Sequence, residues 1–217
     1  MTRITKDLSK LSEEELINAI SRSALAYLAI KDRSEAKMKE YLFGKYEGYD
    51  KQIKEIIEKL KERDLINDQR LAKERCSQYL SANDSNVAIR KKLEKEGLDF
   101  KNVAHMLASE ENRVKEKAGY YAGNNNKLPE KQIRQKIYSR LRRDGFSHEM
   151  CKIALDSLKL DIDKDAQIQL LKREAEKAAR RYQRKYSGYE LHAHLLKYLM
   201  SKGYEYALID EVIKESE

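Results

Sequence analysis

One spacing recurs along the chain and limits its fold more than any other feature. A glycine follows a leucine by four residues at three places, and the glycines are Gly97, Gly145 and Gly203. Another large aliphatic residue stands four positions before each leucine. Apolar residues spaced by four lie on one face of an α-helix, and glycine readily adopts the left-handed conformation that ends a helix. A second apolar stripe of helical period follows each glycine, so the sequence predicts the same helix–turn–helix unit three times.

A looser copy of the pattern precedes these three. Gly48 follows Leu42 by six residues, so this copy has a longer turn. We expect Asp50 to cap the helix that follows the turn. Each unit also has a helix ahead of the pair, and these first helices are predicted over residues 16–30, 68–80, 111–122 and 168–186. The sequence therefore predicts an all-α protein of about twelve helices, in which tandem three-helix repeats stack into an elongated, curved rod.

The predicted boundaries follow from this repeat. An N-terminal segment, 1–15, precedes repeat 1 (16–66), repeat 2 (67–110), repeat 3 (111–162) and repeat 4 (163–217). Residues typical of helix starts occur at Asn67-Asp68, Asp99, Pro129 and Ser147, and in a capping box from Ser187 to Glu190. The run Gly123-Asn124-Asn125-Asn126 is expected to end the first helix of repeat 3.

The composition bounds the kind of partner. Lys and Arg number 45 against 37 Asp and Glu, for a net charge of +8, which favours polyanionic partners. Only 8 glycines and 1 proline are present, too few for a sheet-rich fold with many tight turns. Cys76 and Cys151 are far apart, and we expect them to be buried, reduced thiols. The sequence has neither a signal-peptide pattern nor a membrane-spanning apolar run, so we expect a cytoplasmic protein.

Sequence patterns of catalysis or metal binding are missing. There is no phosphate-binding glycine loop, no nucleophile elbow and no zinc or calcium motif. His192 and His194 are two residues apart, which places them on different sides of a helix and argues against a metal pair. We therefore expect a protein that is not an enzyme and has no cofactor.

Basic residues form the candidate partner-binding sites. Lys136, Arg140 and Arg143 follow an i, i+4, i+7 pattern beside the apolar stripe of one helix, with Arg134 upstream. Arg90, Lys91 and Lys92 occupy the matching helix of repeat 2, with Lys92 in the place of Arg140. A second cluster comprises Lys177, Arg180, Arg181, Arg184 and Lys185, opposite a stripe of alanines. Such clusters suit phosphates or acidic side chains, although a solvated helix face explains most Lys and Arg runs.

The tyrosines invite a second interpretation, since aromatic rings stack on the bases of single-stranded nucleic acids. Tyr49, Phe146 and Tyr204 follow turn glycines, however, and we expect them to seal the small core of each repeat. Tyr120, Tyr121 and Tyr186 remain open to either interpretation.

The first half of the chain resembles the RecX family of recombinase regulators. The similarity runs over residues 24–72 and is carried by these elements in order: Ala24-Leu25-Ala26-Tyr27-Leu28, Arg33-Ser34-Glu35, Tyr41-Leu42, Gly48-Tyr49 and Leu65-Ile66-Asn67-Asp68. Leu71 stands where an aromatic is usual and Met38 where leucine is. Repeat 3 adds Arg142-Arg143-Asp144-Gly145-Phe146, and repeat 4 resembles the family more loosely.

The resemblance implies a function. RecX-like proteins are stacks of three-helix units without a catalytic centre, which lie in the groove of the RecA filament and generally inhibit it. The expected partner is therefore the RecA–DNA filament, with Arg33 of the Arg-Ser element as a further candidate contact. Direct binding to single- or double-stranded DNA stays open, and a monomer is expected. The alternatives are a DNA-binding helical module that needs no RecA, as paired helices can form, and a helical adaptor for another partner.

Overall fold

Residues 11–107, 109–123 and 127–214 are described by the computed structural model of the protein, and they contain α-helices, short 3₁₀ helices and no strand. The α-helices are α1 (Glu13–Ile30), α2 (Glu35–Lys45), α3 (Asp50–Glu62), α4 (Asp68–Ser81), α5 (Asn86–Lys95), α6 (Glu111–Gly123), α7 (Glu130–Arg143), α8 (His148–Ser157), α9 (Lys164–Tyr182), α10 (Gly188–Ser201) and α11 (Tyr206–Lys214). The all-α prediction is confirmed.

Buried side chains form four separate clusters. One joins α1 to α3, a second lies around α4 and α5, a third joins α6 to α8 and the fourth joins α9 to α11. Each cluster is small, because a helix contributes only two to four buried residues from one face. The chain divides into two compact units, residues 1–108 and 109–217, which we call unit 1 and unit 2. The residue limits of the four repeats stay a prediction.

The glycine turns have the predicted conformation. Gly97, Gly145 and Gly203 have φ values of 76°, 93° and 90°, in the left-handed region that glycine adopts without strain. The residue after each glycine donates a backbone hydrogen bond to the carbonyl of the leucine four positions before that glycine; for Leu98 the distance is 2.9 Å. This six-residue closure is the Schellman motif, and it explains why leucine and glycine are four apart.

In each unit, the two repeats contact each other at an equivalent place. In unit 1, the Ser34 hydroxyl at the start of α2 donates to the carbonyl oxygen of Glu96, just before Gly97. In unit 2, the Gln132 amide near the start of α7 donates to the carbonyl oxygen of Lys202, just before Gly203. The start of one middle helix therefore packs on the turn that follows the next middle helix. We call this contact the repeat junction.

The third helix of repeat 2 differs from the prediction. Two 3₁₀ helices, Phe100–Asn102 and Ala104–Met106, stand in its place. Asp99 caps the first of them, as predicted, because its side chain accepts from the backbone N–H of Lys101 at 2.9 Å. Val103, between the two, is fully buried with φ −126° and ψ 2°, which interrupts a continuous helix. The described residues therefore form eleven α-helices, where about twelve were expected.

Other helix starts also correct the prediction. The first helix of repeat 4 spans Lys164–Tyr182 and not 168–186, because the Asp163 side chain accepts from Ala166 N–H and starts it early. Asp50 is the first helical residue and not the cap. Ser187 precedes α10 but makes no side-chain capping bond, so the predicted capping box is wrong; Gly188 enters that helix at φ +53°.

The remaining start signals agree with the prediction or fall outside the described residues. Asn67 and Ser147 cap α4 and α8, and Pro129 immediately precedes α7. Helix α6 ends at Gly123, and the following Asn124–Asn126 lie outside the described residues.

Candidate functional site

The basic residues of α7 line a groove in unit 2. Ile133, Ile137 and Leu141 are fully buried on one side of the helix, so the cations between them face outward. The groove encloses about 540 Å³ and is lined by Gln132, Gln135, Lys136, Ser139, Arg140, Arg143, Ser201 and Lys202. No carboxylate from the described part of the chain lines this unit 2 groove. It can therefore accept an anion without first displacing an acidic side chain.

A second groove lies at the repeat junction of unit 1. It encloses about 310 Å³ and is lined by Lys31, Asp32, Arg33, Ser34, Lys37, Tyr79, Lys92, Lys95 and Glu96. This unit 1 groove contains two of the predicted site residues, Arg33 and Lys92. Its five cations outnumber its two carboxylates, so it is also suited to an anion. The two carboxylates make it less positive than the unit 2 groove, which the described residues line without a carboxylate.

Arg140 and Lys92 occupy the same place in their repeats, each directly before the leucine of the turn. Arg140 lies over the ring of Tyr121 in α6, 5.3 Å from its centroid, and Lys92 lies over Tyr79 in α4 at 4.7 Å. Both distances are within the range of cation–π attraction. The repeat pattern predicted the match of Lys92 with Arg140, but it did not predict the rings beneath them.

A carboxylate completes each arrangement. The Tyr121 hydroxyl donates to Asp144 at 2.6 Å, and the Tyr79 hydroxyl donates to Glu96 at 2.9 Å. Burial and then the bond to the neighbouring carboxylate raise the pKa of both tyrosines to about 12. The hydroxyls therefore remain donors at neutral pH and hold the rings in place. Sequence reasoning missed these two tyrosine–carboxylate pairs. The signal for them was the acidic residue directly before the turn glycine, which is Glu96 in repeat 2 and Asp144 in repeat 3.

Repeats 1 and 4 have tyrosine where repeats 2 and 3 have a cation. Tyr41, directly before Leu42, stacks on Tyr27 with centroids 4.1 Å apart. Tyr198, directly before Leu199, lies 6.1 Å from Tyr182 in a T-shaped pair. The first helix thus supplies a tyrosine to the same position of every repeat. The middle helix contacts this tyrosine with a cation in repeats 2 and 3 and with another tyrosine in repeats 1 and 4.

Some predicted site residues serve the repeat that contains them. Arg134 donates to the carboxylate of Glu130 at 2.7 Å and to the carbonyl oxygen of Leu155 at 2.6 Å, so it ties α7 to α8. Arg90 donates to Glu94 at 2.8 Å along its own helix. These bonds reduce the availability of both arginines to a partner. Lys91 is exposed.

The second basic cluster lies on the outer side of α9, as predicted. Leu171, Ala175 and Ala178 are buried on the opposite side. The exposed members of the cluster are Lys177, Arg180, Arg181, Arg184 and Lys185, the last two just after the helix end. The structure does not join these residues to either groove.

Other candidate chemistry is accounted for by packing. Phe146 and Tyr204 are buried, at 1% and 6% exposure, and Tyr49 packs on the core of repeat 1, as expected. The thiols of Cys76 and Cys151 are both buried, as expected. Among the described residues, no group of His, Cys, Asp and Glu side chains could hold a metal ion. None of the described helices has the length and apolar character needed to cross a membrane.

Comparisons with known proteins point to one family. A model of "RecX, third three-helix domain" matches residues 165–213, which lie in predicted repeat 4. A "Regulatory protein RecX" of Streptococcus thermophilus is 31% identical over 219 residues, covering 97% of this chain and 84% of the relative. One from Streptococcus pneumoniae is 32% identical over 205 residues, covering 88% of this chain and 76% of the relative.

A solved structure was also matched. The crystal structure of RecX from Lactobacillus salivarius aligns with 92% of this chain and 95% of its own, at 21% identity and a TM-score of 0.28.

Proposed function

The chain belongs to the RecX family of regulatory proteins, and from this premise we propose that it binds the RecA–DNA filament and inhibits recombination. Regulation then requires binding alone, with no catalytic step and no cofactor. The protein acts in the cytoplasm as a monomer.

The unit 2 groove is the observation that carries this proposal. Lys136, Arg140 and Arg143 project from one helix face, and Lys202 faces them from the end of α10. A nucleoprotein filament offers phosphates and carboxylates, and arginine forms paired hydrogen bonds with both. Tyr121 backs Arg140, which reduces the side-chain freedom that binding would otherwise remove.

Inhibition would be steric. A protein that places several basic surfaces against neighbouring protomers binds through many weak contacts, because the first contact raises the effective concentration of the next. The bound protein then occupies the filament groove that a second DNA strand must enter. No single contact needs to be strong for the strand to be excluded.

Co-sedimentation with RecA filaments tests the site. The triple variant replaces the three α7 cations with glutamate: Lys136→Glu, Arg140→Glu and Arg143→Glu. The control variant makes the same number of replacements on the exposed face of α3: Lys51→Glu, Lys54→Glu and Lys59→Glu. We expect the α7 variant to lose co-sedimentation and the α3 variant to retain it. Circular dichroism should show the helix content of the unmodified protein in both variants. Equal loss, or no loss, in the two variants would clear the groove of a role.

Strand exchange tests the activity itself. The unmodified protein should suppress RecA-driven strand exchange when it is substoichiometric to RecA, because each molecule blocks several protomers. The α3 control should suppress it equally. Undiminished strand exchange in excess protein would contradict the proposed function.

A further inference from the structure

Arg33, in the unit 1 groove, lacks the partner that a buried donor requires. Its Nε is shielded from solvent and has no hydrogen-bond acceptor in the described part of the chain. Its guanidinium lies 4.3 Å from the centroid of the Tyr27 ring, and Tyr27 in turn stacks on Tyr41. A buried donor without an acceptor is uncommon in folded proteins, since its desolvation is not offset. The Nε itself is out of reach of an outside group, but Arg33 lines the unit 1 groove, so an acceptor for the other donors of its guanidinium can enter from there.

Of the two carboxylates that line the groove, Glu96 is engaged elsewhere, and so are the carboxylates that pair with the groove residues Lys37 and Lys92. Glu96 accepts from Arg75 at 3.2 Å and from the Tyr79 hydroxyl at 2.9 Å. Asp84 pairs with Lys92, and Glu40 pairs with Lys37 at 2.6 Å.

Two lysines share the groove with Arg33. Lys31 comes from the connection between α1 and α2, and Lys95 from the end of α5. Neither has an ion pair with the described residues, and the one other carboxylate of the groove, Asp32, is exposed. Three cations from two segments thus line one small space, and none of them is ion-paired within the described part of the chain.

We propose that the unit 1 groove binds a phosphate of a nucleic-acid backbone through Arg33, with Lys31 and Lys95 at its sides. One arginine fork satisfies a carboxylate, whereas a phosphate offers more acceptor oxygens and takes donors from several directions. Three cations around one groove fit the second case. This site needs no recombinase, so it is independent of the proposed filament binding.

The surroundings of Arg33 fix it for this task. Ser34 caps α2 by accepting from the Lys37 N–H at 3.2 Å, and it also donates to the Glu96 carbonyl across the junction. The residue before Ser34 is therefore held at the junction, with the Tyr27 ring behind its guanidinium. A donor group that is already ordered loses less side-chain entropy when an anion arrives.

Fluorescence anisotropy with a labelled single-stranded oligonucleotide tests the site in the absence of RecA. Arg33→Gln should weaken binding roughly tenfold, as expected for loss of a charge-assisted bond. It should also reduce the slope of log affinity against log salt by about 0.7, the value for one single-strand phosphate contact. The matched control is Arg63→Gln, an exposed arginine outside the groove, which should leave affinity and slope nearly unchanged.

A second pair of variants guards against a folding defect in Arg33→Gln. Lys31→Gln with Lys95→Gln leaves the Tyr27 contact intact and should also weaken binding, whereas Lys51→Gln with Lys54→Gln on α3 should not. Equal affinities in groove and control variants would overturn the proposal. So would displacement of the oligonucleotide by polyglutamate at lower charge concentration than by polyphosphate, since the groove would then prefer carboxylates. Neither failure would affect co-sedimentation with RecA.

Discussion

The two units share one architecture and differ in the chemistry of their grooves. In each, a middle helix starts against the glycine turn of the next repeat, through a side chain that donates to the carbonyl just before the glycine. That preceding residue is Glu96 in unit 1 and Lys202 in unit 2. The repeat thus decides where a groove lies, and single positions in the turn decide its charge. Two similar scaffolds can in this way present different surfaces to one partner.

The two junctions also differ in how closely the middle helix approaches the glycine turn. A Cβ added to Gly97 would lie 2.5 Å from the Cβ of Ala36, whereas one added to Gly203 would lie 3.2 Å from the Cβ of Lys131. Gly48 has the same left-handed φ, but an added Cβ meets nothing within 4 Å. These glycines separate the conformational need for glycine from the steric one.

The largest expected effect is on stability at these glycines. Gly48→Ala should lower the free energy of unfolding by about 1 kcal/mol, from the left-handed conformation alone. Gly203→Ala adds a tight contact that Lys131 can partly relieve, for a total of about 2 kcal/mol, and Gly97→Ala forces the junction apart, for about 3 kcal/mol or more. Urea unfolding of the whole chain measures the order. Equal losses at Gly97 and Gly48 would show that the unit 1 junction is not closely packed.

The sequence revealed these turns because their requirement is local. Leucine, glycine and the next apolar residue are within six positions, so the closing hydrogen bond leaves a fixed spacing. Helical period likewise predicted that Lys136, Arg140 and Arg143 lie together beside the buried stripe of α7. It could not predict the position of Arg134, whose acceptor, the Leu155 carbonyl, is 21 residues away. Period tells which side a residue faces, and not what lies opposite.

The repeat 2 segment was mispredicted for a related reason. An apolar stripe at helical spacing is compatible with an α-helix or with two successive 3₁₀ turns over so short a length. The packing of Val103 into the small core around α4 and α5 accompanies the second outcome. The surroundings of Arg33 could not be read from sequence either, since several of its neighbours in the groove come from α4 and α5.

A smaller effect should distinguish the charges of the two grooves. Lys202→Glu introduces a carboxylate into the unit 2 groove, where the described residues supply none, and should weaken co-sedimentation with RecA filaments roughly fivefold, as for one exposed charge contact. Lys197→Glu, an exposed change on the same helix outside the groove, is the control. If both variants bind alike, net charge and not the groove determines binding, and the comparison between units loses its functional meaning.

The smallest expected effect lies where the two units agree. Tyr79 and Tyr121 each have a pKa raised to about 12 from 10, so the folded state holds these protons more tightly than the unfolded state does. Their contribution to stability is complete below pH 10 and is lost as the pH rises through 12. Both tyrosines are partly solvated, so solvent screening keeps the effect small.

Tyr79→Phe and Tyr121→Phe measure this contribution separately in each unit. Each variant should be less stable than the unmodified protein at about pH 8, because a hydrogen bond to a carboxylate is lost. That difference should shrink between pH 10 and 12, because the tyrosine ionises in the unfolded state over this range and thereby favours unfolding. Phenylalanine has no proton to lose, so the stability of the variant does not change in this way. Urea unfolding at several pH values follows both curves. A constant difference across this range at either position would mean that its hydroxyl is not bound to the carboxylate, and the equivalence of repeats 2 and 3 would then fail at that tyrosine.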